Sequence, residues 1–247
     1  MSFNCPTFIN YERILVKLFM QELVILHGAI GSAGQMEFLA KAFESRFNVH
    51  NINLPGHGGT SFPVNFSLPS FADAVQSYCD EKGLKKISVF GYSMGGYVAM
   101  LLAIKNPDLV QKVITLGTKF QWNETIAAKE TGMMQPMVIK EKLPQFADTL
   151  EKRHAPADWK ELLRLTALML EEMGRDNPLK EGDYNKIATP SLILLGDRDK
   201  MVSFEETLMV YKSLSKASLG ILPQTPHAIE QVNLPLLVFL VNQFLEE

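Results

Sequence analysis

The chain reads as an α/β protein: a mostly parallel sheet flanked by helices, with one inserted helical cap. Three observations predict this. Short apolar, β-branched runs that end in Gly, Asp or Asn alternate with longer segments of helical period, the pattern of βα units around a parallel sheet. The alternation stops after Thr118 and resumes at Thr189-Pro190, leaving some 70 residues without a convincing strand. The length of 247 residues, 47% of them hydrophobic and 21% charged, suits one α/β domain with an insertion and is too short for two enzymatic domains.

The strands follow in order. Leu23–Leu26 leads into His27-Gly28, and Val49–Leu54 into Pro55-Gly56. Ile87–Phe90 leads into Gly91, and Val113–Leu116 into Gly117. Beyond the insertion, Ser191–Leu195 leads into Gly196 and Ala217–Leu222 into Pro223. Helical period between them predicts helices over Gln35–Ser45, Ser70–Lys82, Met94–Lys105, Phe204–Leu214 and Pro235–Leu245, the last with Pro at a first helical position. Residues before Leu23 are expected to form an antiparallel hairpin that makes one sheet edge mixed.

We therefore expect a single domain over 1–247, with a core of 1–118 and 188–247 and a cap over 119–187. Within the cap, Thr149–Arg153 and Asp158–Glu172 carry helical period, and Pro136, Pro144, Pro156 and Pro178 divide it into several helices.

Composition excludes several function classes. A net charge of -3 with no cluster of Lys and Arg disfavours nucleic acid as a partner. Two cysteines, Cys5 and Cys79, support neither a disulfide scaffold nor a thiolate metal site. The apolar run Ile14-Leu15-Val16 is broken by Lys17, so no signal-peptide core forms, and Leu236–Val241 is far too short to span a membrane. A cytoplasmic protein that does not engage membranes, monomeric or homodimeric, is the expectation. Gly28-x-x-Gly31-x-x-Gly34 lacks dinucleotide-loop spacing, and no Walker A, His-Glu-x-x-His or clustered Cys/His pattern occurs, so no cofactor and no metal are expected.

The chemistry concentrates around Ser93. Gly91-Tyr92-Ser93-Met94-Gly95 follows a buried strand and opens a helix, the context of a nucleophile elbow. A sharp strand-to-helix turn strains the serine backbone and leaves room only for small neighbours, which Gly91, Gly95 and Gly96 supply. Serine needs a base to take its proton, and the base needs a carboxylate to orient it. Asp199, in Gly196-Asp197-Arg198-Asp199, and His227, in Pro226-His227-Ala228, both lie just past strand ends on the edge where Ser93 lies. Asp197 competes with Asp199 for the carboxylate role; Asp199 is favoured, with Asp197 as a loop or salt-bridge residue. The Met94 amide and the Ala29 amide, in the loop after the first strand, are the candidate oxyanion donors. His27 and His57 read as structural histidines.

Jointly, Leu26-His27-Gly28, Leu54-Pro55-Gly56-His57-Gly58, Gly91-Tyr92-Ser93-Met94-Gly95-Gly96, Gly196-Asp197-Arg198-Asp199 and Pro226-His227 resemble the α/β-hydrolase superfamily. They are similar in particular to its capped esterases and C-C bond hydrolases or lyases, including the menaquinone-pathway SHCHC synthase type. The resemblance spans residues 26 to 227 and is specific for the fold, not for a substrate. It departs from the family pattern at Asn53, often Asp, and at Pro226, often Gly.

It implies a carboxylesterase-like hydrolase of a small ester or thioester, acting through Ser93, His227 and Asp199. A C-C hydrolase or lyase with the same triad is the alternative; Lys140, Lys142, Lys152 and Arg153 are the basic residues a polyanionic substrate would use. A non-catalytic ligand-binding receptor is the alternative of another class. Met133, Met134, Met137, Met169 and Met173, with Trp122 and Trp159, suit either an adaptable pocket for an apolar acyl or aryl group or the cap's own packing.

Overall fold

A computed structural model describes residues 20–246. The expected N-terminal hairpin lies outside the described residues. Six strands form one sheet in the order β2-β1-β3-β4-β5-β6, parallel at every pairing. They are β1 (Gln21–Leu26), β2 (Phe47–Ile52), β3 (Ile87–Tyr92), β4 (Val110–Leu116), β5 (Ser191–Gly196) and β6 (Ala217–Leu222).

Alternation along the strands builds a core on each face. Leu23 and Ile25 of β1 pack with Phe90 and Ile114 against helices α1 (Ala33–Phe43) and α10 (Leu234–Glu246). Val24 and Leu26 point the other way, with Val89 and Val113, toward α2 (Leu68–Lys82), α3 (Met94–Lys105) and α9 (Phe204–Ser213). Helix α3 is buried at ten consecutive positions, Met94 to Ala103, which is why its sequence is apolar all round rather than amphipathic.

Met94–Lys105 keeps its expected bounds, and the other four core helices shift by one or two residues at one or both ends, because caps decide where a helix starts. The Ser67 hydroxyl accepts from the Ser70 amide, so α2 opens at Leu68, before Ser70. Leu234 precedes Pro235 in α10, which puts the proline second. The strand β3 runs two residues past Phe90 because Gly91 and Tyr92 still pair with Thr115 and Leu116 of β4.

Between β4 and β5 lie α4 (Glu124–Gly132), α5 (Pro136–Lys142), α6 (Pro144–His154), α7 (Trp159–Arg175) and the single turn α8 (Glu181–Tyr184). Prolines open α5 and α6. Asp158 is the N-cap of α7 rather than its first residue, accepting from the Lys160 amide. The segment divides energetically. Met169, Leu170 and Met173 of α7 join the main core, while Ile139, Ala147, Leu150, Trp159 and Leu163 form a separate small cluster.

Candidate active site

Ser93 sits between β3 and α3 with φ 52° and ψ -118°, a conformation that costs a non-glycine residue about 1–3 kcal/mol. Neighbouring strands over-determine it. The Ser93 amide donates to the Leu116 carbonyl at 2.8 Å, and the Ser93 carbonyl accepts from the Thr118 hydroxyl at 3.0 Å. A Cβ on Gly95 would stand 2.5 Å from the Leu26 carbonyl oxygen, and one on Gly91 would run into the Gly95 backbone. The turn can pass this close to β1 only because both residues are glycine. Although Ser93 occupies the N-cap, its side chain makes no capping bond.

Its hydroxyl instead lies 3.2 Å from His227 Nε2. On the other side of the ring, His227 Nδ1 is 2.7 Å from Asp199 Oδ2. A carboxylate can only accept, so the proton belongs on Nδ1 and the Nε2 lone pair faces Ser93. Asp199 is only 1% exposed at its side chain, and its Oδ1 accepts from the Met201 and Val202 amides at 2.8 and 2.9 Å. Burial pushes its pKa up, but the bond and charge of His227 and the two amides outweigh that, leaving it below the ordinary carboxylate value.

Asp197 does a different job. Its Oδ1 accepts from the Thr225 amide at 3.2 Å, bracing the chain that leads into His227. Tyr92, which the sequence reading passed over inside its own motif, braces the other end by donating its hydroxyl to the His227 carbonyl at 2.8 Å. These two bonds hold the His227 loop, where Pro226 replaces the glycine common in the resembled family. At Asn53, the other departure, Oδ1 accepts from the Ala33 amide at 2.6 Å, the kind of bond an aspartate would also accept.

The loop after β1 passes directly beside Ser93. A Cβ on Gly28 would stand 3.2 Å from Ser93 Cβ. Ala29 lines the same cavity as Ser93, Met94 and His227. Met94, as the first helical residue, has an amide with no intrahelical acceptor. Ile30, which follows Ala29, has φ 51°, unusual for a β-branched side chain. Two consecutive residues of α6 grip its carbonyl: Arg153 Nη1 donates at 3.1 Å and His154 Nε2 at 3.0 Å. The inserted segment thus holds the loop that carries Ala29.

His154 belongs to a buried cluster with His27 and His57; His27 lies 4.9 Å and His154 6.1 Å, ring to ring, from His57. Backbone amides dictate the tautomers. The Leu54 amide donates to His27 Nε2 at 3.1 Å, so Nδ1 carries the proton and donates to the Gly28 carbonyl at 2.8 Å. The Gly58 amide donates to His154 Nδ1 at 3.0 Å, leaving the proton on Nε2 for Ile30. Burial pushes His27 down to about 4 and lowers His57 and His154 as well. None of the three rings hydrogen-bonds to Ser93.

The cavity next to Ser93 is small, about 70 Å³. Of the methionines and tryptophans singled out in the sequence, Met134, Met173 and Trp122 line it. Met133 and Met137 are exposed, while Met169 is in the main core and Trp159 in the small helical cluster. None of Lys140, Lys142, Lys152 and Arg153 lines it; Lys119 does, together with Glu130. Sequence reasoning missed this pair. Lys119 had a signal, its place just past the β4 end, whereas Glu130 had none. Among the described residues no group of three or more His, Cys, Asp or Glu side chains could hold a metal ion, and no helix is long and apolar enough to cross a membrane.

A family model described as the alpha/beta hydrolase fold matches residues 22–179. Ethanol acetyltransferase 1 of Cyberlindnera jadinii is 33% identical over 39% of this chain and 29% of that protein. Pimeloyl-[acyl-carrier protein] methyl ester esterase of Proteus mirabilis is 33% identical over 53% of this chain and 48% of that protein. The chain therefore spans less than half the length of either relative. In three dimensions it superposes on a thermophilic esterase from Thermogutta terrifontis with a TM-score of 0.75, at 19% identity, over 92% of this chain and 89% of the other.

Proposed function

The chain belongs to the alpha/beta hydrolase fold family, and on that footing we propose that it hydrolyses a small carboxylic ester or thioester through an acyl-enzyme on Ser93. One observation carries the reading: Ser93 Oγ, His227 and Asp199 form an unbroken hydrogen-bonded line at 3.2 and 2.7 Å.

In this mechanism Ser93 Oγ attacks the carbonyl carbon while its proton passes to His227 Nε2. The carbonyl oxygen becomes an oxyanion, held by the Ala29 and Met94 amides at the positive end of α3. The bond to the leaving alcohol or thiol then breaks, and His227 returns its proton to that group. Water attacks the acyl-Ser93 ester in the same way, giving up one proton to His227. Collapse releases the carboxylic acid and restores the Ser93 hydroxyl. Asp199 stays ionised throughout, holding Nδ1–H and offsetting the charge on the ring. Its lowered pKa supports that role.

The cavity size supports a short acyl group rather than a long chain. Its walls are mostly apolar, which supports an acyl or aryl part without a large charge. The C-C lyase alternative has no comparable support, because the basic residues of α5 and α6 lie outside the cavity. The test is Ser93→Ala, which should abolish both turnover of short p-nitrophenyl esters and labelling by a fluorophosphonate. Undiminished turnover in that variant would refute the assignment.

A further inference from the structure

Most of the polar atoms near the cavity are already committed. The Tyr97 hydroxyl donates to Asn177 Oδ1 and accepts from the Leu179 amide. Trp122 Nε1 donates to the Lys119 carbonyl. Apart from Ser93 and His227, the wall then offers two polar side chains, the Lys119 ammonium and the Glu130 carboxylate.

These two are paired loosely. Lys119 Nζ lies 3.8 Å from Glu130 Oε1, beyond hydrogen-bond length, with side chains 14% and 7% exposed. Lys119 Nζ also donates to the Met201 carbonyl and lies 3.9 Å from Glu206 Oε2. Glu206 is otherwise occupied, accepting from the Phe120, Gln121 and Ser203 amides. The Glu130 carboxylate makes no hydrogen bond to any of the described residues. Its Lys119 pair is the one charged contact it has among them.

Stability does not account for this arrangement. Taking an ammonium and a carboxylate out of water costs several kcal/mol per ion, which only close, fully hydrogen-bonded geometry offsets. At 3.8 Å the Lys119–Glu130 pair does not have that geometry. A contact longer than about 3.5 Å between polar groups is the spacing that a bridging hydroxyl fits, at about 2.8 Å from each.

We propose that Lys119 and Glu130 form a polar subsite of the acyl pocket that selects short acyl groups bearing a hydroxyl. This rests on the esterase reading of Ser93. The substrate hydroxyl donates to Glu130 and accepts from Lys119, so it completes both groups at once. A methyl group in the same place gives the Glu130 carboxylate no donor and Lys119 no second acceptor beyond the Met201 carbonyl. A carboxylate on the acyl chain meets Glu130 with like charge, and a primary ammonium meets Lys119 in the same way. The neutral hydroxyl is the group that suits both partners. Sites built to bond a hydroxyl reject the analogue lacking it far more strongly than apolar pockets reject an added one.

The test compares p-nitrophenyl 3-hydroxybutanoate with its near-isostere p-nitrophenyl 3-methylbutanoate on the whole chain. The expected ratio of kcat/KM is about tenfold or more in favour of the hydroxy ester, carried mainly by KM. Glu130→Leu should bring that ratio to one or below. Glu130→Gln keeps an acceptor at the same place and should give an intermediate ratio, which covers the case that the leucine variant does not fold. Lys119 is less suitable for substitution because it also holds the Met201 carbonyl beside the Asp199 loop. A wild-type ratio at or below one, in a protein that turns over the methyl ester, overturns the subsite and leaves the esterase reading standing. So does a ratio that both Glu130 variants leave unchanged. Absence of turnover on either ester together with absence of fluorophosphonate labelling overturns the esterase reading, and the subsite with it.

Discussion

His227 and His154 are both imidazoles with each ring nitrogen bonded, yet they sit in opposite environments. His227 faces a carboxylate on one side and a hydroxyl on the other, so a proton arriving at Nε2 is met by a charge 2.7 Å from Nδ1. His154 accepts from the Gly58 amide and donates to the Ile30 carbonyl, both backbone groups that cannot exchange protons with it. A proton added to His154 would break the Gly58 bond and place an uncompensated charge in the interior near Arg153, which also contributes to lowering its pKa. Partners, not the ring, set the two apart: His227 is placed to take up a proton, and His154 holds backbone in place.

The largest break in that comparison comes from removing the carboxylate. Asp199→Asn should lower kcat by about 10⁴, because the amide favours the wrong His227 tautomer. The fold should survive, since Asn can still accept from the Met201 and Val202 amides; a loss below tenfold, with intact thermal unfolding, would contradict the role. His154→Ala should act by another route. It orphans the buried Gly58 amide and weakens the grip on Ile30, so we expect a loss of about 1–3 kcal/mol in unfolding free energy. Displacement of the Ala29 loop should add up to about a hundredfold loss in kcat with little change in KM. Thermal or urea unfolding and steady-state kinetics on one preparation separate the two effects.

Acid sharpens the contrast. His27, His57 and His154 have folded pKa values below their unfolded value, so below about pH 6.5 the unfolded chain binds protons that the folded chain refuses. Stability should therefore fall with decreasing pH from about 6.5 to about 4, where His27 begins to protonate in the folded state. Each such histidine adds a slope of up to about 1.4 kcal/mol per pH unit. Urea unfolding in His154→Gln across this range should show a shallower slope than the wild type; an unchanged slope would place the proton uptake elsewhere. The smallest effect is expected from Tyr92→Phe. Losing the bond to the His227 carbonyl should cost about 1 kcal/mol and reduce kcat several-fold without altering fluorophosphonate labelling at long times.

Legibility in the sequence followed the range of the interactions. Ser93, Asp199 and His227 each follow a short, mostly apolar strand segment, and parallel strands bring all their carboxyl ends to one edge, so three residues far apart in the chain could be associated without coordinates. Asp197 and Asp199 could be ranked but not resolved, since two residues of one loop share the same local signal. Arg153 and His154 were visible only as part of a basic, helical stretch. Nothing within α6 shows that Ile30, more than a hundred residues earlier, is what they hold. Glu130 was silent for the same reason, being one acid among several in the insertion.

Residue pattern alone was enough for the parallel βα architecture and for the sheet edge that carries Ser93, Asp199 and His227. Short apolar runs, period-3.6 patterning and the glycines around Ser93 are local properties that tertiary context has little freedom to override. Only the tertiary structure decided which carboxylate meets His227, which helix grips the loop beside Ser93, and that a buried ion pair faces an otherwise apolar cavity. Those depend on where the inserted helices pack. Their packing is set by interior shape and by the satisfaction of single buried polar groups, and neither leaves a periodic trace along the chain.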